Sequence, residues 1–190
     1  MKNLFLFSAL FLMLMACGSS KEFTAQDDLA YQNLKDLVDS QSLVIISNSA
    51  SPFASAAFSR VANSNILGPG NNANNIDITT NANKLTIKGD SIQGYLPYFG
   101  EQNFGSGGYG SNKTSIEFDD IPKDYVVTHD DQKHAVEIRL KIDDKYRNSE
   151  HYDMMITLYP NMKSIIRVQS TTRTSIEYTG RVSRLEDKGE

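Results

Sequence analysis

The residue with the most specific chemistry is Cys17, the single cysteine of the chain. It closes the run Leu14-Met15-Ala16-Cys17, directly after an apolar stretch from Leu4 to Met15 that Lys2 precedes. Positive, then apolar, then small before the cut is the order of an export signal. Leu three positions before the cysteine and Ala just before it fit the lipobox of bacterial lipoproteins. The expected chemistry is transfer of a diacylglyceryl group to the Cys17 thiol, cleavage ahead of Cys17, and acylation of the freed amine. Each buried CH₂ contributes ~0.8 kcal/mol, so two or three chains anchor firmly where one does not. The alternative is an ordinary cleaved signal with an incidental cysteine. The apolar run is shorter than the ~20 residues that span a bilayer. In well-studied envelopes an Asp after the lipidated cysteine holds the protein at the inner membrane, so Gly18 points toward the outer membrane. The expected organisation is a signal at 1–16, a tether at 17–26 and one domain at 27–190, with the membrane as a partner through the Cys17 lipid.

The remaining chemical patterns are weaker. His129, Asp130, Asp131 and His134 resemble a metal-ligand cluster, but Asp130 to Lys133 reads as a turn between two strands. Asp119-Asp120 and Asp143-Asp144 read as turn carboxylates, too few for calcium. Gly105 to Gly110 matches GxGxxG, yet a strand rather than a helix follows it. Gly107 to Thr114 lacks the glycine that a P-loop places before Lys113-Thr114. No GxSxG nucleophile elbow occurs, and paired carboxylates for glycoside hydrolysis are unmarked. Asp90-Ser91-Ile92 resembles the acceptor of some bacterial envelope O-glycosylation systems, which makes Ser91 a candidate modification site. These patterns assign no catalytic residue, no metal site and no cofactor.

Composition narrows the field further. Loss of residues 1–16 leaves 174 residues, enough for one domain with its own core. The formal charge moves from −4 to −5 as Lys2 departs. That balance, with no Lys/Arg stripe, argues against nucleic acid. With Cys17 lipidated no thiol remains, so disulfides, cysteine nucleophiles and cysteine-ligated metals drop out.

The elements that would position a site show two periods. Asp27 to Asp39 reads as a helix, with Ala30, Leu34, Leu37 and Val38 on one face and acidic residues at its N-terminus. Leu43 to Ile46 reads as a short buried strand. Residues 47–75, rich in Asn and Ser, read mostly as loop, with room for a short helix within Phe53 to Val61. After Ile76 the period becomes two. Gly89-Asp90 predicts a tight hairpin in which Lys88 pairs with Ser91 and Ile87 with Ile92. Val136, Ile138, Leu140 and Ile142 alternate with Glu137, Arg139, Lys141 and Asp143, the clearest strand of the chain. Met154 to Leu158, Ile166 to Val168 and Ile176 to Val182 follow. One-sided alternation over many short strands predicts a mostly β, α+β fold: an antiparallel sheet curled into a sandwich or partial barrel with one N-terminal helix.

Gly89 to Gly100 is the most distinctive stretch. Tyr95, Tyr98 and Phe99 cluster around Pro97, and a glycine-rich run carrying Tyr109 follows. Tyr95, Tyr98, Phe99 and Tyr109 are the candidate ligand- or partner-binding residues, as an aromatic flap over a pocket. The competing reading is a strand end whose aromatics cap the core. Alternation from Ile92 turns Gly94 and Leu96 inward and Tyr95 outward. Pro97 cannot donate to a ladder, so the strand is expected to end there.

The pattern GD-x-x-x-GYLPYFG, the Leu34–Leu37–Val38 helix and the late strands with Arg173 and Ser175-Ile176-Glu177-Tyr178 resemble a family of uncharacterised bacterial lipoproteins, known only as a domain of unknown function. The likeness spans roughly residues 30–182. It implies an envelope-located, mostly β domain and brings no activity with it. The functional expectation is a non-enzymatic, membrane-anchored binding or structural module with a protein partner or small ligand. A barrel-like carrier of an apolar molecule and a hydrolase with unmarked carboxylates are the alternatives.

Overall fold

The computed structural model describes residues 23–53, 55–61, 64, 66–102 and 115–186. Cys17, the expected signal at residues 1–16, Tyr109 and the rest of the glycine-rich run lie outside these. Helix α1, Ala25–Asp39, starts two residues before the first acidic pair because Thr24 caps it. The Thr24 Oγ1 accepts from Asp27 N at 3.2 Å, and Asp27 Oδ2 accepts from Thr24 N at 2.9 Å. This reciprocal box satisfies two backbone donors that a helix start otherwise leaves open. Tyr31, Leu34, Leu37 and Val38 form the buried stripe, while Leu29 faces solvent.

The strands are β1 Ser42–Pro52, β2 Ile76–Asp77, β3 Lys84–Lys88, β4 Ser91–Pro97, β5 Ser115–Asp120, β6 Lys123–Asp130, β7 Ala135–Asp143, β8 His151–Leu158, β9 Lys163–Ser170 and β10 Ile176–Arg184. A short helix α2, Ala56–Val61, follows β1. The sheet runs β5-β4-β3-β1-β10-β9-β8-β7-β6, every pairing antiparallel, with β2 beside the far half of β1. Its two edges, β5 and β6, are consecutive in sequence and separated only by Ile121 and Pro122. Two residues can join opposite edges only if the sheet curls until they approach. It does: Lys145 N, just past β7, donates to the Glu117 carbonyl of β5 at 2.8 Å. The result is a half-barrel.

The β3–β4 hairpin has the register that alternation predicts, Lys88 opposite Ser91 and Ile87 opposite Ile92. Gly89 supplies the positive φ, +62°, that its two-residue turn requires. β1 departs from the reading. It runs on through Ser47, Asn48 and Ser49 to Pro52, a stretch whose polarity reads as loop. Pairing with β10 on one side and with β3 and then β2 on the other occupies its backbone. A register shift between Ser47 and Ser49 absorbs the irregularity, and Ser47 N finds the Asn83 Oδ1 at 2.7 Å.

The concave face is filled by the chain itself. Leu43 and Ile45 of β1, Leu85 and Ile87 of β3, Ile138 and Leu140 of β7, Ile156 and Leu158 of β8, and Ile166 and Val168 of β9 point inward, with the α1 stripe among them. Each fully buried aliphatic side chain contributes roughly 1.5–3 kcal/mol. The curl and the helix therefore stabilise one another.

Candidate functional site

The aromatic segment begins as the outward row of β4. Ile92, Gly94 and Leu96 face the core while Gln93 and Tyr95 face out. Gly94 is required there, because a Cβ would overlap the ring of Phe118 lying across it. Tyr95 is 44% exposed and stands between Lys84 of β3 and Glu117 of β5. On one side of its ring is a depression of about 280 Å³ bordered by Asn81, Ala82, Pro97, Tyr98 and Phe99. On the other is a smaller one of about 190 Å³, edged by Lys84, Gln93, Glu117 and Lys145. Tyr95 is thus an aromatic ridge between two hollows, one edged by Pro97, Tyr98 and Phe99 and the other by Lys84, Glu117 and Lys145.

Beyond Pro97 the alternation stops. The buried Pro97 carbonyl accepts from the Tyr178 hydroxyl at 2.9 Å. Tyr98 turns inward, 6% exposed, with its hydroxyl 2.9–3.0 Å from Glu101 O, Thr174 O and Thr174 Oγ1. Burial pushes the Tyr98 phenol above its usual range, against the opposing pull of its Thr174 hydrogen bond. Thr174 N donates to Glu101 O at 3.0 Å and Glu101 N donates to Thr174 Oγ1 at 3.2 Å. These bonds latch the segment after β4 onto the start of β10. Phe99 is half-buried against the core edge.

Beneath the latch lies a buried charged cluster. The Arg173 guanidinium sits 5.1 Å from the Tyr98 ring centroid, close enough for a cation–π contact. Its Nε lies 2.8 Å from Glu150 Oε1, an ionic contact outside hydrogen-bond alignment, and its Nη2 donates to Glu150 Oε2 at 3.2 Å. Nη1 donates to the Ser115 carbonyl of β5 at 2.9 Å. Glu150, fully buried, also receives Arg147 Nη1 at 3.1 Å and Ser170 Oγ at 3.0 Å. The neighbouring Asp144 accepts from the Tyr152 hydroxyl at 2.7 Å and from Tyr146 N and Arg147 N at 2.9 and 2.8 Å. Burial, then Asp144, drives the Tyr152 phenol far up. Two carboxylates do converge, then, but both are spent on structural partners. The cluster ties the β7–β8 loop, the β9–β10 loop and the start of β5 into one rigid rim under the aromatic segment.

Residues 25–182 match the profile of a family described as a domain of unknown function, DUF4251. The chain belongs to the DUF4251 family. A crystal structure of a DUF4251 family protein from Bacteroides eggerthii DSM 20697 superposes with a TM-score of 0.54 over 84% of this chain and 91% of that chain, at 10% sequence identity. That likeness concerns the fold. No curated protein matches the chain.

The DUF4251 domain separates the sequence-predicted residues rather than gathering them. Tyr95, Tyr98 and Phe99 share one rim, but Tyr98 belongs to the latch and only Tyr95 stands free of the core. Ser91 is the first residue of β4, half-buried beside the Gly89-Asp90 turn at the other end of the strand. Tyr109 and Cys17 lie outside the described residues. His129 lies on β6, whereas His134 is buried among the rings of Phe23 and Tyr31. Among the described residues no three His, Cys, Asp or Glu side chains converge as a metal site. Sequence reasoning missed Asp144, Glu150 and Arg173 as a group, because they come from two loops, β7–β8 and β9–β10, that carry no periodicity. Wider depressions of about 510 and 560 Å³ occur elsewhere. The larger lies on the outer face of β6 to β9, where Lys141 pairs with Asp124 and Arg167 with Glu177.

Proposed function

We propose that this DUF4251 protein is a lipid-anchored module of the bacterial envelope that binds a protein partner or small ligand at the Tyr95 rim. One observation carries the binding reading: a large aromatic side chain stands exposed between two hollows, on a rim held rigid from below by a buried ion-paired cluster. Rigid display of an exposed aromatic lowers the ordering cost of association, and tyrosine is among the residue types that dominate interface energetics. The interior supports a carrier reading less well, because α1 and the inward side chains occupy the space an apolar cargo would need. The anchoring reading rests on Leu14 to Cys17, and Gly18 favours the outer membrane.

Two measurements test this. Metabolic labelling with a fatty-acid analogue is expected to mark the wild-type protein and not Cys17→Ser; label persisting on the variant refutes the anchor. A photo-crosslinking amino acid at position 95 is expected to yield a discrete adduct in intact cells, and one at Thr157, on the outer face of β8, is expected to yield none. Identical patterns at the two positions refute the rim as the binding surface.

A further inference from the structure

We infer that the domain stands on its membrane with the Tyr95 rim pointing away from the bilayer, so that its partner approaches from the aqueous side. The inference rests on the Cys17 anchor proposed above, and what it adds comes from where the chain enters the half-barrel. Phe23, the first described residue, stacks on the His134 ring with centroids 3.5 Å apart and planes 11° apart. Tyr31 of α1 stacks on the same imidazole at 4.7 Å and 9°. His134 is buried in the β6–β7 turn with φ +48°, and its Nε2 lies 3.4 Å from Asp28 Oδ1. The Tyr31 hydroxyl donates to the Ala135 carbonyl at 3.4 Å. Three near-parallel rings therefore pin the start of the domain to the β6–β7 turn. The β8–β9 turn is alongside: Phe23, Lys133, His134, Tyr159, Asn161 and Lys163 border the same depression.

The Tyr95 rim is at the opposite end of the strands. β8 starts at His151, opposite Asp143 of β7 and beside the β9–β10 loop that carries Arg173, and it ends at Leu158, opposite Ser164 and Val136. Its eight residues put the two ends about 23 Å apart at ~3.3 Å per residue. From Cys17 to Phe23 there are only six Cα steps, at most about 22 Å when fully extended. A tether no longer than the domain cannot invert it. The Phe23–His134 end stays at the bilayer surface, and the rim is displayed outward. A rim so placed suits a soluble or opposing-surface macromolecule, not the lipids of its own membrane.

The test uses the full lipidated protein in phospholipid vesicles that carry a nitroxide on the lipid headgroup. With Cys17 lipidated, Lys163→Cys and Asn148→Cys each offer one thiol for a fluorophore, the first at the tethered end and the second in the β7–β8 loop under the rim. Quenching at 163 is expected to be several-fold stronger than at 148. Insertion of a ~20-residue Gly/Ser segment after Ser19, with a root-mean-square span of about 25 Å, is expected to flatten that difference. Equal quenching at both positions in the unextended protein, or stronger quenching at 148, overturns the orientation. A difference that survives the insertion overturns the tether as its cause. Fatty-acid labelling is read first: unlabelled protein refutes the anchor itself, whereas labelled protein without the difference refutes only the orientation.

Discussion

Replacing Arg173 by Met tests whether the rim is held by charge. Its side chain is 1% exposed and that of Glu150 is fully buried, so the variant leaves a buried carboxylate short of its main partner. Breaking a buried pair by removing one side costs roughly 3–5 kcal/mol. Here Arg147 remains 3.1 Å from Glu150 and keeps 17% of its own side chain in solvent, so part of the charge stays compensated. The Ser115 carbonyl loses its donor as well. The expected loss is therefore near the lower bound, about 3 kcal/mol. For a domain of this size each kcal/mol shifts Tm by roughly 2–4 °C, giving a fall of about 6–12 °C. Urea melts of residues 22–190 measure it directly. The companion Arg147→Met is expected to cost less than Arg173→Met, since Arg173 still pairs the buried Glu150 carboxylate when Arg147 is gone. The double variant Arg173→Met/Glu150→Met is expected to be more stable than Arg173→Met alone, because no orphaned charge remains. A loss below about 1 kcal/mol for Arg173→Met would place the pair with ordinary surface bridges and refute the rigid-rim argument.

Three further outcomes follow from the geometry. Tyr95→Ala is expected to change stability by no more than about 0.5 kcal/mol, whereas Tyr98→Ala costs about 3–5 kcal/mol; urea melts showing the reverse order would disprove the β4 register. Gly94→Ala is expected to cost about 1–3 kcal/mol through overpacking against Phe118, and the double variant Gly94→Ala/Phe118→Leu is expected to cost less than the sum of its singles in a thermodynamic cycle. Burial, with the Asp131 carboxylate beside it, pushes Tyr31 up to about 12, and burial also raises Tyr98, Tyr125, Tyr152 and Tyr178. The unfolded chain loses phenolic protons from pH ~10 while the folded chain keeps them. Stability is thus full below that pH and falls as pH rises through the folded values, so tyrosinate absorbance is expected to climb with unfolding, and tyrosinate appearing at these five sites in a still-folded protein would contradict it.

What the sequence disclosed depended on period. Val136 to Asp143 and the Gly89-Asp90 hairpin were legible to the register, because strict alternation with a two-residue turn leaves one solution. Helix α1 was legible in type, but its start was placed at Asp27 because the reciprocal Thr24–Asp27 box went unread. The second half of β1 was not legible: Ser47, Asn48 and Ser49 carry no apolar signal, and a sheet partner on each side holds them in place. β6 was equally faint, since Val126 faces out and Tyr125 and Val127 are only half-buried. At the site, alternation gave the outward direction of Tyr95, but the inward turn of Tyr98 depends on Thr174, 76 residues away. Asp143-Asp144 looked like any turn pair until Tyr152 and the Glu150–Arg173 contact closed around it. Long-range polar contacts leave no local periodicity, so a sequence shows their members without showing that they meet.

The half-barrel itself explains where function is to be sought. An open sheet exposes two edges and a concave face, and each invites either a ligand or unwanted association. Here α1 lies on the concave face, and Lys145 N covers part of β5 by bonding to Glu117 O. β6 is bent by a register shift and carries Asp124 at φ +54° with Lys123, His129 and Asp130 along it, which blunts pairing with another strand. The features that a barrel would normally use for cargo or for assembly are occupied or blunted by the chain's own residues. What is left is the rim, where Tyr95, Tyr146 of the β7–β8 loop and Phe53 beside Ser175 are exposed aromatics among the described residues. The Bacteroides eggerthii structure shares this fold at 10% identity, a likeness that concerns the fold alone. Whether the proposed Tyr95 rim holds a partner is therefore a question for this chain's own residues, and capture at position 95 in cells is the measurement that addresses it.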